Sequence, residues 1–392
     1  MKNYYKYLIP YILLILISCS GGGGENSAYQ YHTPDEIEIF LDEIQSHYSN
    51  IAKVESIGTS ESGREIKALI ISDNPENLEG EPAIRLTGGI HGNEKMSVEL
   101  LLRFIEYLTS NYNRNTEVTD IVNSKYICII PVLNPDGLAD NSRYNSNGVD
   151  LNRNFNATGS SLQSETKALQ DYSLSRKFNL SVTYHTGAVL VNMPFDYGSE
   201  IIDGTAPVEN NLVKSFALAY TTGTGSKFLD NPEVYTRVYN SIYGDYISLD
   251  RGTINGGDWY VINGSLQDWS YTQTGCLDLT IEITKRNPDT ESGVEQIFMY
   301  NRDSLIAYIN KAEEGIYGRV TDANGYPVED AAITASLGAT AGDLIIKTDH
   351  NGYYNRILLP GTYNVTFSKS GYTTQTENDI NFSGRSVLNV QL

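Results

Sequence analysis

The chain has 392 residues, 40% of them hydrophobic. That is enough for one large core and a second, smaller one, since domains usually hold about 100 to 200 residues. Lys and Arg number 28 against 48 Asp and Glu, a formal charge of -20, so no basic surplus exists to neutralise phosphates and a nucleic-acid partner is disfavoured; the acidity favours solubility and draws cationic partners.

The N-terminus, MKNYYKYLIPYILLILISCSGGGGENS, places two early lysines before an apolar run from Leu8 to Ile17. The run is shorter than the roughly 20 residues of a membrane-spanning helix, so it reads as an export signal. Leu16, Ile17, Ser18 and Cys19 resemble the lipobox of bacterial lipoproteins. That likeness implies a signal peptide over 1–18, a lipid on Cys19, and anchorage to the bacterial cell envelope on its periplasmic or surface face. Residues 19–29, with their glycine run, then form a flexible tether.

From residue 30 to 313, strand-like and helix-like segments alternate: AIRLTGG then SVELLLRFIEYL, YICIIPVLN, LSVTYH, later NNLVKSFALAY, and CLDLTIEIT. Short apolar runs between amphipathic segments predict an α/β fold, a mixed, largely parallel sheet covered by helices on both faces. Ligands of such sheets bind beyond the carboxyl ends of the strands, where His91, Asn134 and His185 fall. From residue 314 short strands with DANG and DHNG turns predict a small all-β, antiparallel sandwich without a catalytic constellation, and His350 faces solvent in a turn. With Cys19 lipidated, Cys128 and Cys276 remain, both in strand-like runs and expected to be buried free thiols.

In TGGIHGNEKM, His91 and Glu94 stand three apart on a Gly-rich bend that can turn both side chains to one side. Two nitrogens and a carboxylate, with a fourth position left for water, make a hydrolytic zinc site. An isolated HxxE recurs by chance, and a lone histidine at a strand end is commonly structural. Further segments add weight. NPDGLADNSRYNSNGVDLNRNF concentrates Asn, Asp and Arg, including Arg143 and Arg153; YHTGAVLVNMPFDY brings His185 and Asp196; GGDWYVINGSLQDWSY holds Tyr260 beside glycines. In CLDLTIEIT, Leu277, Leu279, Ile281 and Ile283 share one face and Glu282 points to the other, where a core carboxylate must be paired or functional. His32 and His47 have no partner motif.

Together these segments resemble the zinc metallocarboxypeptidases. RYNSNGVDLNRNF and GSLQDW are most similar to the regulatory subfamily of carboxypeptidases N, E, D and M, over residues 30 to 310. The sandwich from 315 is similar to the transthyretin-like domain that follows the catalytic domain there. The resemblance implies one zinc ion on His91, Glu94 and His185, an open site of the kind carboxypeptidase A carries. It implies that Glu282 is the general base, that Arg143 holds the developing oxyanion, and that Asn152 and Arg153 clamp the substrate's terminal carboxylate. Tyr260 would fold over the substrate, while Asp196 and Gln267 would line the pocket for its last side chain, implying peptides or proteins with basic C-termini. YHTGA departs from the Gly-Gly that usually follows the histidine, and the family disulfides are missing. Three other readings stay open: a peptide-binding pseudopeptidase, an amidohydrolase of the same fold, and an enzyme that trims cell-wall peptides.

Overall fold

The structure, a computed structural model, describes residues 28–336 and 344–392. Cys19 and the export segment lie outside the described residues. Helix α1 (Pro34–His47) starts where its sequence dictates: Thr33 and Glu36 bond each other's backbone N–H reciprocally, and Pro34 occupies the first turn.

The main sheet is built from β1 (Ala52–Thr59), β2 (Glu65–Ile71), β3 (Ala83–Thr87), β4 (Tyr126–Ile130), β5 (Leu180–His185) and β6 (Ala188–Met193). A separate hairpin of β7 (Arg237–Asn240) and β8 (Asp245–Ser248) follows, and then β9 (Thr253–Asn255) and β10 (Leu277–Thr284) complete the sheet in the order β1-β2-β4-β3-β5-β10-β6-β9. The central strands β4, β3, β5 and β10 are mutually parallel, whereas β1–β2, β2–β4 and β10–β6 pair antiparallel. Every residue of the four central strands is buried, which is why they read as near-continuous apolar runs.

The helices after α1 are α2 (Lys95–Asn111), α3 (Thr116–Ser124), the short α4 (Pro135–Ala139), α5 (Ser164–Arg176), the short α6 (Glu200–Asp203), α7 (Asn210–Thr222), the single-turn α8 (Gly256–Trp259) and α9 (Leu266–Trp269), and α10 (Glu291–Asn310). Strand side chains alternate between two cores. Leu86, Ile127, Ile129 and Val182 pack with Leu41, Leu101, Phe216 and Leu305 of α1, α2, α7 and α10. Tyr126, Cys128 and Ile130 pack on the opposite face with Leu169 of α5, Leu266 and Trp269. Each such aliphatic side chain contributes about 1.5 to 3 kcal/mol on burial. The second core also encloses Arg85, whose guanidinium lies 2.7 Å from Asp278 and bonds the hydroxyls of Ser173, Ser181 and Ser270. Cys128 and Cys276 are buried and free, as expected.

The C-terminal sandwich holds β11 (Gly315–Thr321), β12 (Ala332–Ser336), β13 (Ile346–Lys347), β14 (Tyr353–Arg356), β15 (Gly361–Ser368), β16 (Gln375–Phe382), β17 (Arg385–Val387) and β18 (Val390–Gln391). One sheet runs β13-β12-β15-β16; the other places β11 between β14 and β17, with β18 on β11 as well. It is not uniformly antiparallel, because β11 pairs parallel with β17 and β18. Nor does the DHNG turn close a hairpin: Asp349 accepts the N–H groups of Asn351 and Tyr353 and so turns the chain from one sheet into the other. Buried Arg356 pairs with Glu209 just before α7 and joins the sandwich to the larger domain.

Candidate active site

The end of β3 leads through Gly88 and Gly89 into the bend that carries His91 and Glu94. Two backbone bonds lock it to the chain leaving β4, Leu133 N–H to the Gly88 carbonyl and Asn134 N–H to that of Gly89. Gly92 is forced by proximity, since a Cβ there would sit 1.9 Å from the Gly137 carbonyl carbon. Asn134 is structural: its carboxamide oxygen caps α4 at the Gly137 N–H. Glu94 occupies the N-cap position of α2, where the positive end of the helix dipole favours a carboxylate.

His91, Glu94 and His185 converge, with one ligand atom from each lying within 4.8 Å of the others. His91 Nδ1 is 2.8 Å from Glu94 Oε1, His185 Nδ1 is 3.0 Å from Glu94 Oε2, and the two Nδ1 atoms are 3.1 Å apart. Two imidazole nitrogens and a carboxylate converging on one point form a donor set that a divalent cation fits. The far nitrogen of His91 meets Asp150 Oδ1 at 3.0 Å, the carboxylate partner that sets which ring nitrogen faces a metal. Burial works against the charged form of Glu94, yet His185 and His91 outweigh it and hold its carboxyl well below the usual range. Asp150 is likewise held low, since His91 and Arg143 overcome its burial.

Glu282 stands beside His185 on the parallel pair β10–β5. It is 8% exposed, and its Oε2 has no hydrogen-bond partner. Burial, seconded by the charge of Glu94, pushes its carboxyl up to about 7 against the pull of His185 and Arg143. Arg143 bonds Asp150 with Nε at 3.1 Å and leans Nη1 toward His91 Nδ1 at 3.2 Å.

These groups face one cleft of about 220 Å³, lined also by Asn152, Arg153, Asn192, Asp196, Trp259, Tyr260 and Thr280. Asn152 is fixed by the Leu266 N–H on its side-chain oxygen, and Arg153 bonds the Asn152 carbonyl. Tyr260 is 44% exposed at the mouth, edge-on to Trp259. Asp196 is nearly inaccessible at 2% exposure and accepts the Asn192 side-chain N–H at 3.0 Å. Gly256 leaves room for that carboxylate, because a Cβ there would lie 1.9 Å from Asp196 Oδ1.

The structure thus gathers into the cleft the residues singled out from the sequence in this region, except Asn134, which caps α4, and Gln267. Gln267 stands behind the lining, its Oε1 on the Thr280 N–H and its Nε2 on Asn192 Oδ1. Sequence reasoning missed Asp150, Asn192 and Asp268. Asp150 sits in the quoted loop motif GVDLNRNF, but only folding shows that it reaches a histidine 59 positions away. His32 also has a partner, buried Glu99 at 2.9 Å.

Comparison with known proteins agrees with this geometry. A family model described as zinc carboxypeptidase matches residues 37–314, and one described as carboxypeptidase regulatory-like domain matches residues 315–392. The chain is 34% identical to carboxypeptidase D of Homo sapiens over 379 residues, covering 91% of this chain and 27% of that protein. It therefore spans about a quarter of the length of that relative. Identity to the carboxypeptidase N catalytic chain of Homo sapiens is 30%, covering 89% of this chain and 82% of the relative. For carboxypeptidase M of Mus musculus it is also 30%, with 88% and 79% covered. Among solved structures, carboxypeptidase A from Helicoverpa armigera shares the fold with a TM-score of 0.57 at 20% identity, over 72% of this chain and 73% of that one. Thrombin activatable fibrinolysis inhibitor does so with 0.58 at 18%, over 72% and 74%. This chain belongs to the zinc carboxypeptidase family, whose cofactor the His91, Glu94 and His185 cluster is built to hold.

Proposed function

We propose that the protein is a zinc-dependent carboxypeptidase that hydrolyses the last peptide bond of peptides or proteins and releases C-terminal Arg or Lys. The observation that carries this reading is a single cleft in which a zinc-type ligand set, a buried carboxylate with one partnerless oxygen and two guanidinium groups face one another. Zinc on His91, Glu94 and His185 would supply the Lewis acidity that polarises the carbonyl and lowers the pKa of water. The chain's own groups do the rest. Glu282 takes the proton of the attacking water and passes it to the leaving amine. Arg143 stabilises the negative oxygen as it forms. Arg153, with its two parallel donors, and Asn152 hold the substrate's free carboxylate, which restricts cleavage to the last residue. Tyr260 closes over the substrate, and Asp196 at the end of the cleft meets a cationic side chain. Blocked dipeptides ending in Arg, Lys, Phe or Glu, assayed with and without a zinc chelator, test the reading; turnover that survives metal removal, or preference for Phe, contradicts it.

We also propose export and lipid anchoring through Cys19 to a bacterial envelope, supported by the LISC stretch after the apolar run. The two-sheet C-terminal domain is read as transthyretin-like. Mass spectrometry of the mature N-terminus tests the anchor, and a Cys19 without lipid rules it out.

A further inference from the structure

Behind Asp196 lies a second buried carboxylate that the proposed reaction does not use. Asp268 in α9 is 7% exposed and does not line the cleft. Both of its carboxylate oxygens lie 3.0 Å from the backbone nitrogen of Asp196. Asp268 is itself held at both ends, its N–H on Ser265 Oγ and its carbonyl on the Thr272 hydroxyl. From the other side a one-way chain of donors runs from Thr280 N–H to Gln267, from Gln267 to Asn192, and from Asn192 to Asp196. The Asp268 carboxylate, held on the backbone of Asp196, therefore stands close to a second buried carboxylate.

We infer that Asp268 is a positioning residue for the pocket of the substrate's last side chain: it clamps the Asp196 backbone, and the two neighbouring buried carboxyl groups together hold one proton, which a cationic side chain expels on entry. The inference rests on the reading of Asp196 as the receptor of a basic residue. Like charges this close in a low-dielectric site do not both ionise, so the pair holds a proton at rest. The ionisable groups facing it are Arg153 and Tyr260 toward Asp196 and Tyr197 toward Asp268; Ser265, Asn192 and Gln267 contribute neutral hydrogen bonds. Burial raises both carboxyls, and the neighbouring Asp196 charge helps to push Asp268 to about 8. A guanidinium or ammonium in the pocket restores the balance of charge, and the proton leaves to solvent. An empty or neutral pocket then carries one negative charge and a cation-filled one carries two, a device that rewards the basic side chain and spares the unliganded protein a buried pair of charges.

Two experiments on the zinc-loaded protein test this. The first uses the unmutated enzyme: calorimetric binding of L-arginine and of L-phenylalanine near pH 7, in buffers of different ionisation enthalpy, reads the protons exchanged. The expected result is release of a substantial fraction of one proton with arginine and none with phenylalanine. The second is Asp268→Asn, which keeps an acceptor oxygen for the Asp196 N–H and removes the shared proton. The Arg-to-Phe ratio of kcat/KM should fall about tenfold, mainly through KM for the Arg substrate, and the decrease of that KM with rising pH around 8 should flatten. Equal proton exchange for the two amino acids, or a variant with the parent's ratio and pH slope, overturns the inference. If the parent enzyme prefers Phe, or Asp196→Ala leaves Arg substrates intact, the pocket reading itself fails and takes this inference with it.

Discussion

Replacing Glu282 by Gln should make the protein inactive and more stable at once. The side chains are nearly isosteric, so packing around β10 is kept while the proton acceptor is lost. Loss of general-base catalysis should lower kcat by roughly two to four orders of magnitude. The stability change follows from burial. In the metal-free protein the Glu282 carboxyl is raised from 4.5 to about 7. At about 1.4 kcal/mol per pH unit, that displacement corresponds to roughly 3 kcal/mol against the folded state. The sign follows from comparing protonation in the two states. Below pH 4.5 both folded and unfolded chains hold the proton and the residue contributes nothing. Between 4.5 and 7 the unfolded chain loses it first, so the penalty grows, and above 7 it is constant. Urea unfolding of chelator-treated wild type and Glu282→Gln should therefore coincide near pH 4 and diverge by up to about 3 kcal/mol at pH 8, with the variant more stable. Zinc adds positive charge beside the carboxylate, so the acid limb of kcat/KM in the loaded enzyme should lie below 7. A variant that is less stable at pH 8, or that keeps more than a tenth of wild-type kcat, refutes the assignment of Glu282 as a destabilised base.

Asp150→Asn should weaken zinc binding 10- to 100-fold, measured by competition with a chelator of known affinity, because the 3.0 Å contact that orients His91 loses its charge. Gly256→Ala drives a methyl group into Asp196 Oδ1, so KM for Arg and Lys substrates should rise at least tenfold while bound zinc stays stoichiometric. Arg85→Ala strands the buried Asp278 carboxylate and should reduce stability by about 3 to 5 kcal/mol in a denaturant titration.

His91 and Glu94 were legible as a candidate pair because their chemistry is local, whereas the role of His185, 94 positions away, was implied only by the family resemblance. His91 and Glu94 share one bend, its glycines mark the close approach to Gly137, and the apolar alternation of β10 isolates Glu282 on the wrong face for a simple core residue. The helices and central strands were legible for a similar reason, since burial on both faces leaves continuous apolar runs. What sequence could not show depends on pairings set by the whole fold. β5 and β6 are joined only through Thr186 and Gly187, yet they do not pair with each other: β10 inserts between them, parallel to β5 and antiparallel to β6. Asp150, Asn192 in β6 and Asp268 in α9 carry no local mark of function, and each acquires its role from a partner on another segment. The resemblance implied that Gln267 lines the pocket, but it is not among the cleft's lining residues, and its amide is engaged by the Thr280 N–H and Asn192. The sandwich turns were recognisable as Asx-Gly turns, whereas the parallel seating of β17 and β18 on β11 involves residues about seventy positions apart and leaves no local signal.

The central claim is zinc-dependent removal of a single C-terminal residue, held by its free carboxylate. The most direct measurement is mass spectrometry of one peptide ending in Arg, presented to the purified protein as the free acid and as the C-terminal amide, alongside metal analysis of the same sample. The expected result is loss of one arginine from the free acid, little or none from the amide, one zinc per chain, and no turnover after chelation. Cleavage at internal bonds, equal attack on the amide, or full activity in zinc-free protein would contradict it.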